Sequence, residues 1–158
     1  MSRPSHFFNI ESADQLFRLL KMVASRFATS DDKRREDLLV LVFGLTHLRE
    51  WIAPDYNWKR NPMTPEEHFY HDIYKFDDFQ FLQALCNHSK HMHVTHKATA
   101  TLSVKKPESD GGLNSKPDGR RVAGYFASGK DVEDVIRAVI KFYEDKWFQK
   151  TDGAHIPT

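Results

Sequence analysis

Between Asn87 and His91 the chain reads Asn-His-Ser-Lys-His, an amide, a cation and two imidazoles within little more than one helical turn. Residues four apart on a helix share a face, so Asn87 and His91 can offer an amide and an imidazole to one phosphate, base or metal. Imidazole also moves protons near neutral pH, its ordinary pKa being about 6.5. Asn87 and His91 are therefore candidates for a nucleic-acid or nucleotide site, with His88 and Lys90 as further ligand contacts beside them. A structural role stands next to this one. At the end of a helix, amide and imidazole can close on the last free carbonyls, and a cation such as Lys90 gains from the helix dipole. Metal binding is a third option: His68 and His71, like His88 and His91, are three residues apart, so each pair can chelate from one helix face. No His-Glu-x-x-His pattern and no Cys pair accompanies them. No cofactor is expected.

These side chains need a helical frame, and the apolar spacing supplies one. Ser12-Ala13-Asp14-Gln15 reads as a capping box, followed by Leu16, Leu19, Leu20, Val23 and Phe27 at helical spacing. A second helix is predicted from about Asp32 to Ile52, with Leu38, Leu41, Val42, Leu45, Leu48 and Ile52 as its buried stripe. Gly44 inside it costs about 1 kcal/mol relative to Ala, which points to close approach of a neighbouring helix. Residues 56–63 form a loop rich in turn and basic residues. Thr64-Pro65-Glu66-Glu67 then starts a helix carrying Phe69, Ile73 and Phe76. Asp77-Asp78-Phe79-Gln80 is a second start, so a kinked helix or two short ones should deliver the histidine cluster.

The period changes after Met92. Residues 98–104 and 121–127 suit strands of an antiparallel hairpin, and 105–119 reads as a mobile loop. Residues 128–131 cap a last helix with Val132, Val135, Ile136, Val139, Ile140 and Tyr143 on one face, ending near Gln149, and the tail from 151 should fray. The fold class is mostly α: one domain over residues 1–158, a helical bundle of about four main helices with a small inserted hairpin.

Composition narrows the function classes. Apolar content of 40% and charged content of 28% are those of a globular protein. A net charge of +1 argues against a surface built for bulk nucleic-acid binding. A single cysteine, Cys86, excludes an intrachain disulfide and fits a reducing cytoplasm. It is expected to be a small buried filler with no base beside it. No segment approaches the roughly 20 apolar residues that span a bilayer, so no membrane association is expected.

Two short segments, His47-Leu48-Arg49-Glu50-Trp51 and Asn87-His88-Ser89-Lys90-His91, together with the helical order, resemble the HEPN superfamily, the higher-eukaryote and prokaryote nucleotide-binding domains. The segments are also similar to bacterial proteins of unknown function with Asn-x-x-Lys-His. The resemblance implies a helical bundle and a homodimer whose site forms between facing helices. It also implies RNA or nucleotide binding, with an antitoxin or other defence-system partner. Catalysis, if present, would be metal-independent RNA cleavage, with His91 moving the proton and Asn87 orienting the phosphate. The family's hallmark is an Arg before the Asn, and Cys86 stands there in this chain. Lys90, Arg49 or a residue of a second subunit would have to replace its charge, which implies weak or no cleavage. His47 and Arg49 are accordingly ligand-binding candidates, and His47 is also expected to tie its helix to that of Asn87. The competing class is a non-catalytic module for dimerisation or partner docking.

Overall fold

The first helix begins where its cap dictates. The Ser12 hydroxyl accepts from the Gln15 N–H at 3.2 Å, while the Gln15 side chain reaches back to the Glu11 N–H at 2.8 Å. The structure, a computed structural model, describes residues 9–90, 102–105 and 124–149. Helix α1 spans Ala13–Thr29 and buries Phe17, Leu20, Val23 and Phe27. Helix α2 spans Arg35–Ile52, and all six apolar positions of its predicted stripe are buried. At Gly44 an added methyl group would collide with the Leu20 side chain, so the glycine does mark the close approach of α1 to α2.

Helix α2 starts three residues later than its sequence suggested. Lys33 is the reason. Its side chain is only 5% exposed, and its ammonium donates to the carbonyls of Phe27 at 2.8 Å and Ala28 at 3.3 Å while pairing with Glu133 at 3.0 Å. Holding that ammonium on the free carbonyls of α1 keeps residues 31–34 outside the helix, and Arg34 is extended at its entrance.

The loop between α2 and α3 is fixed by one buried carboxylate. Glu67 accepts from the Asn57 N–H at 2.9 Å and the Thr64 N–H at 3.2 Å, and pairs with Arg60 at 2.9 Å. The Thr64 hydroxyl accepts from the Glu67 N–H, which closes a capping box at the predicted start of α3, Pro65–Tyr74. The chain breaks at Lys75 and Phe76 and resumes as α4, Asp77–Lys90, so the two-helix alternative holds.

Strands β1, Leu102–Lys105, and β2, Gly124–Ala127, pair antiparallel with Leu102 opposite Ala127. A third strand, β3, Lys130–Asp131, extends the expected hairpin. Ser128 and Gly129 both have positive φ, 49° and 79°, the geometry of a tight two-residue turn, so these residues make a hairpin rather than a helix cap. Asp131 alone caps helix α5, Val132–Tyr143, through the Glu133 N–H. The last turn, Glu144–Phe148, is π-helical and lays Phe148 on Phe17 with centroids 4.2 Å apart. The fold is thus mostly helical with a small antiparallel sheet. No helix of the described residues is long and apolar enough to cross a membrane. The predicted mobile loop from 106 onward and the predicted frayed tail lie outside the described residues.

Two outcomes follow. Lys33→Met strands two carbonyls and weakens the buried pair, so it should cost about 2–4 kcal/mol. That lowers the melting temperature by roughly 5–15 °C in a thermal scan, and an unchanged value would show that the ammonium contributes nothing. The Asn57 N–H holds the Glu67 carboxyl below the usual carboxylate range, with Thr64 and Arg60 adding to this and burial opposing it. Folding therefore favours the ionised form. Its contribution is complete above the ordinary carboxylate pKa and disappears as pH falls through the lowered folded value. Glu67→Gln should flatten that acid limb of the stability profile, measured by urea titration at stepped pH.

Candidate functional site

Helix α2 carries His47, Arg49 and Glu50, and α4 carries Cys86, Asn87 and His88. The two helices run antiparallel, since His47 meets Cys86 while Arg49, further along α2, meets Phe79 at the start of α4. The first of the two segments that carry the family resemblance therefore meets Cys86, the residue just before the second.

His47 is the hinge of that contact. Its Nδ1 lies 2.9 Å from the Glu50 carboxylate, one helical turn on, and its Nε2 lies 3.9 Å from the Cys86 sulfur. A carboxylate accepting from Nδ1–H leaves Nε2 as an acceptor facing the thiol, when the imidazole is neutral. Carboxylate, imidazole and thiol thus line up in the order of a proton relay. No base was expected beside Cys86, and His47 corrects that expectation, coming from a helix 39 residues away in sequence. The expected burial of the thiol is found, since Cys86 is 0% exposed. Such a thiol is closed to a substrate, and the relay acts as a polar clasp between α2 and α4. His47 itself is 36% exposed at its side chain, so one edge of the ring reaches solvent beside exposed Asn87.

Arg49 does not join that face. Its guanidinium lies 4.1 Å over the Tyr70 ring, 5.1 Å from Phe79 and 5.6 Å from Tyr74, and it donates to the Tyr70 carbonyl at 3.3 Å. Two residues on a helix are about 200° apart around the axis, so Arg49 and His47 point to different neighbours. At 7% exposure and with no carboxylate against it among the described residues, the cation is held by aromatic faces. Nothing in the local sequence announced this cage, because its rings come from α3 and α4.

His88 is half-buried, and its Nδ1 is buried without a hydrogen-bond partner among the described residues. The other two such atoms among the described residues are Thr46 Oγ1 and Arg49 Nε. All three belong to α2 and α4, which marks this helix pair as the least satisfied part of the described interior. Lys90 ends α4, and His91 lies outside the described residues, so the predicted Asn87–His91 face is placed by its first member only. His68 and His71 sit on the exposed side of α3. Among the described residues no group of three or more His, Cys, Asp or Glu is arranged to hold a metal ion. Glu50 was the one partner that sequence could have supplied, through its spacing of three from His47.

If the clasp covers the thiol, Cys86 in the folded protein should react with a maleimide only through rare openings. His47→Ala should then speed labelling by about tenfold or more. Equal labelling rates in the two proteins would show that the imidazole is not the cover. Compared with known proteins, the chain matches no family model, no curated protein and no solved structure.

Proposed function

We propose that the chain is an atypical HEPN-like protein that binds RNA or a nucleotide where α2 and α4 meet, in a bacterial cytoplasmic defence or toxin–antitoxin setting, with weak or no cleavage. The observation that carries this reading is the contact of His47, in the first motif segment, with Cys86, which directly precedes the second, whose first residue Asn87 is exposed. The fate of the cations supports weak chemistry. Cys86 occupies the position of the family Arg and is buried, and Arg49 is enclosed by Tyr70, Tyr74 and Phe79. A developing phosphorane charge would find neither side chain within reach. The test is fluorescence anisotropy with labelled single-stranded RNA, paired with a thermal scan. Asn87→Ala should weaken binding by about tenfold, equivalent to 1.4 kcal/mol, with the melting temperature nearly unchanged. Absence of RNA or nucleotide binding to the unaltered protein at low salt would remove the reading, and rapid cleavage would remove its second half.

A second reading, dimerisation, draws on a separate observation. On α2, Leu39 and Val40 are exposed and Phe43 is half-buried. Val40, Phe43 and His47 follow helical spacing, so this apolar strip runs into the candidate face. A second copy seated there would bring two His47–Asn87 faces together in one cleft. Light scattering after size exclusion should show a dimer that Val40→Glu dissociates. A monomer at high micromolar concentration would exclude the shared cleft.

A further inference from the structure

The most exposed large apolar side chain among the described residues is Trp58, at 70%. A lone surface aromatic is ordinarily unremarkable. This one stands at the tip of a loop that the protein holds unusually firmly. Besides the three contacts of Glu67, the Asn57 side chain accepts from the Lys59 N–H at 3.0 Å, and the Arg60 N–H donates to the Asn57 carbonyl at 3.0 Å. Arg60 also donates to the Asp55 carbonyl at 3.4 Å. Just before the tip, Tyr56 stacks on Tyr70 with centroids 4.1 Å apart, and the Arg49 guanidinium lies equally close to the same ring. Two groups at that distance cannot share one side of a ring, so Tyr70 is sandwiched and anchors the base of the loop. The indole is therefore presented on a fixed support, with little left to order on binding.

Its surroundings indicate what it is presented to. Lys59 Nζ lies 5.1 Å from the indole centroid. Asn57, Lys59, Arg60 and Asn61, the residues around the tip, are polar or cationic and exposed. The core of a protein interface is a contiguous apolar patch, and among residues 57–62, all exposed, only Trp58 and Pro62 are apolar. An exposed indole with an ammonium over its ring instead matches an unpaired nucleobase stacked on the remaining surface and a phosphate of the same strand. We infer that Trp58 and Lys59 form a stacking site for single-stranded RNA, the indole taking a base and the ammonium its phosphate. The inference rests on the RNA-binding reading and adds a second contact region, on the α2–α3 loop and apart from Asn87.

The experiment measures binding of labelled oligouridylate to the unaltered chain and to Trp58→Ala, Trp58→Phe and Asn87→Ala, with a hairpin duplex RNA as competitor. Trp58→Ala should weaken oligouridylate binding by about tenfold or more, the effect of losing one stacked base. Trp58→Phe should retain most of the affinity. The duplex should compete poorly, and oligouridylate should quench the indole emission of the unaltered protein but not that of Trp58→Phe. Because Trp58 is exposed, all variants should keep the parental melting temperature. If Asn87→Ala loses affinity while Trp58→Ala keeps it, the stacking site is wrong and the RNA-binding reading stands. If the unaltered chain binds no RNA, both fall. Equal affinity for duplex and single strand, or RNA-independent capture of a protein through Trp58, would also overturn the stacking site.

Discussion

The close passage of α1 across α2 at Gly44 sets the spacing on which the other helices depend. With no side chain at that position, Leu20 can sit against the α2 backbone, and α2 becomes a helix buried on several sides. One of those sides meets α5, where the Tyr143 hydroxyl donates to the Leu45 carbonyl at 2.7 Å, the residue next to the glycine. Full burial pushes the Tyr143 phenol far above its ordinary pKa and keeps it a donor at any physiological pH. Other sides meet α3 through Arg49 and α4 through His47. A wider α1–α2 spacing would displace the helix that carries His47, Arg49 and Glu50 and that meets Cys86 of α4.

The buried charges of Lys33 and Glu67 are tolerated because each has specific neighbours. Lys33 sits on the carbonyls that end α1 and pairs with Glu133 at the start of α5, so one ammonium joins two helix ends and the loop between α1 and α2. The Tyr125 hydroxyl of β2 donates to the Lys33 carbonyl at 2.9 Å, which fastens the sheet to the same loop. Glu67 plays the matching role for the loop between α2 and α3. In both cases the charged group neutralises backbone dipoles that would otherwise be buried unpaired, and removing it costs more than the pair itself contributes.

Features governed by neighbours within one or two turns were legible in the sequence. The Thr64–Glu67 capping box, the six-residue stripe of α2, the break near Phe76 and the significance of Gly44 all depend on local spacing or on the cost of one residue type. The start of α2 was not legible, because it depends on Glu133 reaching Lys33 from 100 residues away. Nor was the short strand after Ser128–Gly129, whose capping-type residues serve equally as a turn when both adopt positive φ. Part of the candidate site was legible: His47 does tie its helix to the one that carries Asn87, through Cys86. Which atoms meet was not, since a thiol facing an imidazole and a guanidinium beneath a tyrosine are products of how three helices cross.

Those crossings also constrain what the face beside Asn87 can recognise. Arg60 is paired with Glu67, Lys33 with Glu133, Arg26 with Asp37 and Arg49 with aromatic rings, so these cations already stabilise the fold. The groups that do reach solvent near His47 include the Glu50 carboxylate, 2.9 Å from the ring. A carboxylate there opposes an approaching phosphate by direct repulsion. A neutral amide, an imidazole and a carboxylate instead offer donors and acceptors of the kind that pair with base edges, where no net charge has to be matched. On the proposed reading, Asn87 and His47 therefore engage the base edges of an RNA, and its phosphates run past cations elsewhere on the chain. On that reading such an arrangement would bind without stabilising charge at phosphorus, the physical basis for expecting no efficient cleavage.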